Sequence, residues 1–482
     1  MSLPRYPNYK DSGVEWLGEV PEHWEVKRIR FVAELNPSKS EVSDLERDTV
    51  VSFLPMDAIG EDGSLNLDKE KPISEVETGY TYFRNGDVTV AKITPCYENG
   101  KGALMRGLLN GVGFGTTELI VARPRPEEVT GTYLHYLFIS PDFRGLGESH
   151  MYGAGGQKRV PDDFVRNFAT AFPPLPEQTK IAAFLDRETA KIDELVAEQR
   201  RLMELLREKR QAVISRAVTR GLNPDVPMKP SGIEWLGDVP SHWVTPALNM
   251  RYCMELGKML DVAQITGDHL VPYLRNVDVQ WDAINFEELP EMDIQESEYP
   301  RYVIQQGDLL VCEGGEVGRA AMVKDGAGVY GFQKALHRIR SRSSSENTRF
   351  LFYTFVWAAA TGVFNAGGTS TIAHLTGEQL RRYRFPNPPL AEQVAIAAFL
   401  DTETAKLDTL TTEAQRAIAL LQERRTALIS AAVTGQIDVR GQFELARQKL
   451  DMPDAVAAWK PSTIKCIAAW VPSTGLKADL IQ

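Results

Sequence analysis

The chain has 482 residues, 43 % of them hydrophobic and 25 % charged, and a formal net charge of −11. This length exceeds what a single hydrophobic core organises, so two to four domains are expected. The composition is typical of a soluble globular protein and no apolar run is long enough to cross a bilayer, so no membrane partner and a cytoplasmic location are expected. The acidity alone disfavours a polyanionic partner, although an acidic chain can still present a basic face.

A lead-in segment occurs twice, at Lys10 to Trp24 and at Lys229 to Trp243, with the shared pattern Ser-Gly-x-Glu-Trp-Leu-Gly-x-Val-Pro-x-His-Trp. This repetition indicates a tandem duplication. Its tryptophans are predicted to be hydrophobic anchors that dock each lead-in onto its own domain. They are Trp16, Trp24, Trp235 and Trp243.

A block of mixed α/β character follows each lead-in, roughly from Glu25 to Phe172 and from Val244 to Asn387. The two blocks share little identity, but they keep predicted strands, Gly-Asp turns and Gly-rich loops at corresponding places. The matched segments are Val51 to Leu54 with Val271 to Leu274, Gly86 to Val90 with Gly307 to Val311, and Ala154 to Val160 with Ala366 to Ile372. One scaffold with two divergent surfaces is typical of two copies of a fold that bind different targets.

A longer repeat closes each half. The pattern Pro-Pro-Leu-x-Glu-Gln, followed by Ile-Ala-Ala-Phe-Leu-Asp, starts at Pro173 and again 215 residues later at Pro388. Residues spaced alternately four and three apart then form one stripe in each copy, which predicts two long helices with heptad seams. The stripes are Ile181, Leu185, Glu188, Ile192, Leu195, Gln199, Leu202, Leu206, Lys209 and Val213, and Ile396, Leu400, Glu403, Leu407, Leu410, Ala414, Ala417, Leu421, Arg424 and Leu428.

Both predicted helices carry end signals. Glu177 and Glu392 fall in the first turns, where a carboxylate suits the helix dipole. Gly221 and Gly435 follow the last turns, where glycine can close a helix. Helices of this length extend about 60 Å at ~1.5 Å per residue.

Charges on the stripes predict how the two helices pair. Glu188 and Glu403 occupy equivalent positions, as do Lys209 and Arg424. Antiparallel packing brings each glutamate toward the basic residue of the other helix, whereas parallel packing brings like charges together. The helices are therefore predicted to pack antiparallel. The alternative is that each stripe is merely the buried face of a helix on its own domain.

Signatures of catalysis are missing from the sequence. The seven histidines form no metal-binding pair, the four cysteines show no C-x-x-C spacing, and no phosphate-binding glycine loop is present. Asn387-Pro388-Pro389-Leu390 is similar to the tetrapeptide with which adenine methyltransferases hold a flipped base, but its last residue is not aromatic. The same Pro-Pro-Leu recurs at Pro173, so the start of a helix is the better interpretation, and the chain is predicted to be non-catalytic.

Basic and amide side chains in or beside the Gly-rich loops are the candidates for a ligand role, because such side chains can reach base edges and phosphates. In the first block they are Lys92, Tyr97, Lys101, Arg106, Gln157, Lys158 and Arg159. In the second block they are Arg275, Asn276, Arg319, Thr369, Ser370 and Thr371, with basic runs at Lys334, Arg338, Arg340 and Arg342 and at Arg381, Arg382 and Arg384. For any single one of them, the alternative is an ordinary solvated surface charge.

The duplicated lead-ins, Gly-Asp turns and Pro-Pro-Leu-x-Glu-Gln helix starts, from about Lys10 to Gly435, resemble the specificity subunits of Type I restriction-modification systems. The resemblance implies that each block is a target recognition domain that reads one half of a bipartite site in double-stranded DNA. It implies that the helices form an antiparallel coiled coil, which sets the spacer and docks two modification subunits. S-adenosylmethionine would be bound by those partners, and ATP and magnesium by a restriction subunit where one is present, so that this chain binds no cofactor or metal.

The predicted fold class is α+β, with two mixed α/β target recognition domains, two long antiparallel coiled-coil helices and an internal pseudo-twofold repeat. The predicted boundaries are 1–172 for the first lead-in and domain, 173–222 for the first helical spacer, 223–387 for the linker, second lead-in and second domain, 388–435 for the second spacer, and 436–482 for a tail of unknown role.

Two other functions fit parts of this pattern. A non-catalytic scaffold whose two domains bind protein surfaces would suit the net acidity, and its binding to duplex DNA would lack steep salt dependence. A self-contained methyltransferase or nuclease would modify or cut DNA without partner chains.

If the helices act as a ruler, lengthening one should lengthen the DNA gap between the half-sites. Inserting four residues in register adds ~6 Å to a helix, close to two base pairs at ~3.4 Å per step. Selection of binding sites from random DNA should then return a longer preferred gap, and an unchanged gap would contradict the ruler.

Overall fold

The computed structural model describes residues 3–154, 156–260, 266–324, 328–365 and 374–441. By their contacts these residues form two units. Unit 1 contains the residues up to 195 together with those from 419 onward, and unit 2 contains Val196–Ile418. Each unit therefore combines one lead-in and one mixed α/β block with parts of both long helices.

Unit 1 is built on two four-stranded sheets. Its strands are β1 (Tyr9–Asp11), β2 (Glu19–Pro21), β3 (Glu25–Arg28), β4 (Ala33–Leu35), β5 (Val50–Leu54), β6 (Glu70–Pro72), β7 (Thr81–Arg84), β8 (Val88–Ala91), β9 (Gly102–Leu104), β10 (Val112–Gly115), β11 (Leu119–Pro124) and β12 (Ala169–Phe172). Its short helices are α1 (Ile29–Val32), α2 (Ile73–Val76), α3 (Gly131–Ile139), α4 (Pro141–Ser149) and α5 (Asp162–Asn167). The sheet orders are β6-β5-β10-β7 and β4-β11-β8-β9.

The long helix α6 (Leu175–Arg220) leads into unit 2, and α11 (Leu390–Val433) leads back to unit 1. Between them lie the strands β13 (Met228–Pro230), β14 (Asp238–Pro240), β15 (Tyr252–Leu256), β16 (Leu270–Leu274), β17 (Val279–Gln280), β18 (Ala283–Ile284), β19 (Glu291–Asp293), β20 (Leu309–Cys312), β21 (Ala320–Met322), β22 (Gly331–Phe332) and β23 (Leu336–Ser341). The helices between them are α7 (Leu248–Arg251), α8 (Tyr299–Tyr302), α9 (Thr348–Ala360) and α10 (Gly377–Arg382).

Unit 2 repeats the strand order of unit 1. The sheet β15-β23-β20-β21 matches β4-β11-β8-β9, and β19-β16-β22 matches β6-β5-β10. The parallel pairing of β5 with β10 also recurs, between β16 and β22. The predicted strands at 51–54 and 271–274 are the equivalent strands β5 and β16. The α+β fold class and the internal duplication are thereby confirmed.

The repeated Gly-Asp turns hold buried ion pairs. Asp87 accepts two hydrogen bonds from Arg123 on β11, at 2.7 and 2.8 Å, and is 1 % exposed. Asp308 accepts two from Arg340 on β23, at 2.6 and 2.7 Å, and is also 1 % exposed. The sequence predicted the turns, but only the folded sheet shows which arginine neutralises each aspartate.

The glutamate at the start of α6 is held by the first lead-in. Glu177 accepts hydrogen bonds from the Tyr6 hydroxyl at 2.6 Å and from Trp24 Nε1 at 3.1 Å, and His23 Nε2 lies 2.8 Å from its other carboxylate oxygen. Trp24 is fully buried, and Trp16 packs on Phe168. The prediction that these tryptophans are anchors is confirmed.

The second lead-in holds α11 in the same way. Glu392 accepts a hydrogen bond from Trp243 Nε1 at 3.0 Å and lies 2.7 Å from His242 Nε2. Trp243 is fully buried, and Trp235 packs on Trp357. The two glutamates differ in exposure, because the Glu392 side chain is 42 % exposed and the Glu177 side chain only 9 %.

The glutamine that follows each glutamate fastens the long helix to a helix of the block. Gln178 accepts a hydrogen bond from the backbone of Thr130, the N-cap of α3, at 2.8 Å. Gln393 accepts the equivalent bond from Asn347, the N-cap of α9, at 2.8 Å, and donates to Asn387 Oδ1 at 2.9 Å. Asn387 thus binds a residue in the first turn of α11, in agreement with the interpretation of Asn387-Pro388-Pro389-Leu390 as the start of a helix.

Within unit 1 the two long helices run antiparallel. Trp24 contacts Glu177 near the start of α6, and a Cβ on Gly435, just past the end of α11, would lie 3.2 Å from its ring. Further along α6, Asp193 pairs with Arg425 at 3.1 Å. Advancing along α6 therefore means moving back along α11.

Unit 2 shows the same arrangement with the helices exchanged. Trp243 contacts Glu392 near the start of α11, and a Cβ on Gly221, just past α6, would lie 3.2 Å from its ring. Asp408 pairs with Arg210. Gly221 and Gly435 both have positive φ, +76° and +75°, so their predicted role in closing the helices is confirmed.

The antiparallel prediction is thus confirmed, but through different charges from those proposed. Glu188 pairs with Arg187 and Lys191 on its own helix, and Glu403 pairs with Lys406 on its own helix. The interhelical partners lie elsewhere on the helix surface, at Asp193 with Arg425 and at Asp408 with Arg210.

The predicted heptad seam is buried at some of its positions but not at all of them. The seam positions that are at most 1 % exposed include Ile181, Leu185, Ile396 and Leu400. Leu195, Leu202 and Leu410 instead are 44 %, 36 % and 45 % exposed, which contradicts their seam positions. Further along the helices, the seam positions Ile192, Leu206, Leu407 and Ala414 remain buried, at 5 %, 7 %, 4 % and 3 % exposed. Part of the seam is therefore buried well beyond the helix starts, while the leucines between these positions are exposed.

The described part of the tail begins as part of unit 1. Val439 is buried in its core, and the backbone amide of Asp438 donates to the backbone oxygen of Pro4 at 2.7 Å. Residues 442–482, with Cys466, lie outside the described residues. The described cysteines Cys96, Cys253 and Cys312 are free thiols.

The two held glutamates should differ in their contribution to stability. Glu177→Ala removes the acceptor of buried Trp and Tyr donors and should lower the free energy of unfolding by about 2–4 kcal/mol, since hydrogen bonds to charged groups are strong and unpaired buried donors are costly. Glu392→Ala, at a more exposed site, should cost about 1 kcal/mol or less. Urea unfolding followed by circular dichroism measures both, and equal losses would contradict the assignment.

Candidate nucleic-acid interface

Four of the predicted residues of unit 1 lie together at the end of β8. Lys92 directly follows this strand, and its backbone oxygen accepts from Val160 at 2.8 Å. Two residues on, the Thr94 hydroxyl donates to the backbone oxygen of Lys158 at 3.0 Å and accepts from its amide at 2.7 Å. Lys92 is therefore brought beside the loop that carries Gln157, Lys158 and Arg159.

Within this group the side chains differ in availability. Gln157 and Lys158 are exposed. Arg159 instead donates two hydrogen bonds to Glu118, at 2.9 and 2.8 Å, and these bonds are the main reason that the pKa of the Glu118 carboxyl lies below its usual value. Arg159 is thus neutralised by its ion pair with Glu118, whereas the side chains of Gln157 and Lys158 are exposed to solvent.

An aromatic side chain that the sequence reasoning missed lies in the same loop. Tyr152 is 65 % exposed and exchanges two backbone hydrogen bonds with Arg159, at 3.1 and 2.9 Å. An exposed ring beside basic and amide groups suits contacts to nucleic acid. Its position in the Gly-rich loop of the other candidates was the available signal.

A cleft of about 380 Å³ lies next to this loop. It is lined by Asn36, Pro37, Ser38, Lys39, Tyr80, Thr81, Tyr82, Lys92, Thr117 and Leu119. Two lysines, a tyrosine pair and several hydroxyl and amide groups give it donors and acceptors suited to a polar, anionic ligand. Lys92 belongs to both the cleft and the loop cluster.

The prediction that Tyr97 lies on the surface as a ligand candidate is wrong. Tyr97 is 1 % exposed, and its hydroxyl donates to the backbone oxygen of Phe143 at 2.9 Å. The buried guanidinium of Arg144 lies 4.8 Å from its ring and donates to the backbone oxygens of Tyr97 and Gly100, at 2.8 and 3.0 Å. Burial lowers the pKa of Arg144 to about 10, so the group stays charged at neutral pH and orders the Gly-rich segment from within.

Lys101 and Arg106 do not join the loop cluster. Lys101 Nζ donates to the backbone oxygen of Met56 at 2.9 Å. Arg106 donates to Thr132 at 3.0 Å and lines a separate cavity of about 300 Å³, which also contains His135. Burial lowers the pKa of His135 to about 4, so its ring is neutral at neutral pH.

In unit 2, the described candidates also form one cluster. Arg319 donates to Asn276 Oδ1 at 2.8 Å, and Asn276 Nδ2 donates to the backbone oxygen of Gly314 at 2.9 Å. Neighbouring Arg275 donates to Asp278 at 2.8 Å through both its Nε and its terminal nitrogen. The candidates Thr369, Ser370 and Thr371 lie outside the described residues.

The structure also corrects the match between the two loops. Val160 donates to Lys92 just as Leu375 donates to Glu313, both at 2.8 Å. Val160 therefore corresponds to Leu375. The predicted partner segment Ala366 to Ile372 lies outside the described residues.

The basic runs of unit 2 are divided between the interior and the surface. Arg338 is 2 % exposed and donates to backbone oxygens, Arg340 pairs with Asp308, and Arg381 donates to the backbone of Met254. Lys334 and Arg342 of the first run are exposed, as are all three arginines of the second run. A ligand role is therefore contradicted for Arg338, which is buried, and Arg340 is already paired with Asp308.

Two further features of the described residues concern metal binding and membrane insertion. No group of three or more His, Cys, Asp or Glu side chains within the described ranges is arranged to hold a metal ion. Among the described helices, none combines the length and apolar character that spanning a membrane requires.

A family model for the Type I restriction modification DNA specificity domain matches residues 21–203 and 274–419. The specificity subunit of the Escherichia coli Type I restriction enzyme EcoAI is 48 % identical over 165 residues, covering 34 % of this chain and 27 % of that subunit. The putative Type I restriction enzyme MjaX specificity subunit of Methanocaldococcus jannaschii is 22 % identical over 436 residues, covering 88 % of this chain and 96 % of that protein. The specificity subunit of the Escherichia coli Type I restriction enzyme EcoEI is 43 % identical over 188 residues. The chain spans less than a third of the EcoAI and EcoEI subunits, at 27 % and 31 % of their lengths.

Two solved structures share the fold. A chain from a study of complex assembly and conformational transition in a type I R-M system superposes with a TM-score of 0.69 at 20 % identity, covering 86 % of this chain and 98 % of that one. The HsdS subunit of Thermoanaerobacter tengcongensis gives a TM-score of 0.56 at 19 % identity with the same coverage.

Removing one exposed and one buried candidate should separate binding from stability. Lys158→Gln should leave the unfolding free energy within about 0.5 kcal/mol and reduce the slope of log affinity against log salt for duplex DNA by about 1. Tyr97→Phe should cost about 1 kcal/mol of stability and leave the salt slope unchanged. Thermal unfolding and fluorescence-anisotropy titrations at several salt concentrations measure both, and a reversed pattern would contradict the placement.

Proposed function

Because the chain belongs to the family of Type I restriction-modification DNA specificity proteins, we propose that it is the DNA sequence-recognition subunit of a Type I restriction-modification complex. Each unit reads one half of a bipartite site in double-stranded DNA, and the helices set the unspecified gap between the halves. The observation that carries the proposal is that two units share one strand order but carry different residues in their equivalent loops. Such an arrangement suits two different half-sites.

The covalent chemistry is assigned to partner chains. Modification subunits would bind S-adenosylmethionine and methylate adenine, and a restriction subunit, where present, would use ATP and magnesium. The candidate residues of this chain support a binding role, because amide, hydroxyl and basic side chains can reach base edges and phosphates.

Exposed leucines on the long helices support the docking of two copies of a partner. Leu195 of α6 and its counterpart Leu410 of α11 are 44 % and 45 % exposed, and Leu205 and its counterpart Leu420 are 52 % and 55 % exposed. Each unit carries one member of each pair. Leucines repeatedly exposed at equivalent positions are typical of a surface that a partner covers, and the repetition fits one modification subunit for each unit.

The proposal is tested by expressing the chain with its modification partner and mapping methylated adenines in cellular DNA. The expected result is one motif with two specified ends and an unspecified middle. The purified complex should also bind its site with steep salt dependence, because phosphate contacts release counterions. Salt-independent binding without a motif would favour a protein-binding scaffold, and methylation by the chain alone would favour a self-contained enzyme.

A further inference from the structure

Two residues of opposite charge occupy the same structural position in the two units. Lys92 directly follows β8, and its amide donates to the backbone oxygen of Glu118 at 2.9 Å. Glu313 directly follows β20, and its amide donates to the backbone oxygen of Ala335 at 3.0 Å. Each backbone oxygen then accepts a bond of 2.8 Å, from Val160 and from Leu375 respectively.

Both positions lie where the Gly-rich loops of their unit meet. Lys92 lines the 380 Å³ cleft and borders the loop with Tyr152 and Lys158. Glu313 precedes Gly314, whose backbone oxygen binds Asn276 and through it Arg319. Each is therefore surrounded by the loop candidates of its own unit.

Their side chains have unused hydrogen-bonding capacity. Within the described residues, neither the Lys92 ammonium nor the Glu313 carboxylate makes a side-chain hydrogen bond or ion pair, and both side chains are half-buried. The charge opposite Lys92 is Glu118, which already accepts two bonds from Arg159. Ala335, opposite Glu313, carries no charge. A half-buried charge of this kind is stabilised when a ligand supplies its partner.

We propose that Lys92 and Glu313 are equivalent base-reading residues, and that their opposite charges make the two half-sites different. This inference rests on the proposed function. In the major groove, a lysine donates to the O6 and N7 acceptors of guanine, whereas a glutamate accepts from the N4 amino group of cytosine. Lys92 thus selects a guanine in the half-site of unit 1, and Glu313 selects a cytosine in the half-site of unit 2.

The test compares wild type, Lys92→Gln and Glu313→Gln, each in complex with the modification partner, by selection of binding sites from random DNA. Lys92→Gln should lower the preference for guanine at one position of one half-site about 10-fold or more, with the other half-site unchanged. Glu313→Gln should do the same for a cytosine in the opposite half-site. The matched controls are Lys69→Gln and Glu287→Gln, at exposed positions, which should retain the wild-type motif.

Several results would overturn the inference. A uniform loss of affinity for all sequences with a shallower salt slope would show that Lys92 contacts a phosphate. An unchanged motif in both variants, or changes in the same half-site, would also contradict it. Thermal unfolding of each variant shows whether an altered motif accompanies an intact fold. A wild-type complex that selects no bipartite motif would instead refute the proposed function.

Discussion

A carboxylate held by a lead-in joins the parts of each unit. In unit 1, Glu177 accepts from Tyr6 and Trp24, which fastens the start of α6 to the first lead-in. The same indole lies beneath Gly435, where a Cβ would come within 3.2 Å of the ring, so the end of α11 is seated on it as well. One buried tryptophan therefore contacts both long helices, and the direction of their pairing follows from that contact.

This arrangement makes each unit depend on both halves of the chain. The core of unit 1 includes Ile429, Ala432 and Val433 of α11 together with Ile181 and Leu185 of α6. The core of unit 2 includes Ile214 and Val218 of α6 together with Ile396 and Leu400 of α11. The duplicated sequence segments are thus not the folding units, because each long helix begins in one core and ends in the other.

Arginines that are paired inside the fold are not available to a ligand, so the ligand surface is limited to polar side chains at the loops. Several arginines are used inside the fold, as Arg123 with Asp87, Arg340 with Asp308 and Arg144 with backbone oxygens. What remains at the loops is a small set of exposed or half-buried groups, among them Lys92, Lys158 and Tyr152. A net acidic chain can therefore still offer local polar surfaces at the loop ends of its sheets.

The sequence by itself determined the duplication, the two long helices and their end signals, because these depend on local patterns and on a repeat that is visible without a fold. The antiparallel pairing was predicted correctly, but from charges that pair within their own helices. It also located the strands at 51–54 and 271–274. It did not determine which loop residues are available. Tyr97 and Arg338 looked like surface residues but are buried, and Leu195 and Leu410 looked like seam residues but are exposed. Burial depends on contacts between residues far apart in the chain, such as Tyr97 with Phe143 or Asp308 with Arg340, so only the tertiary structure decides it.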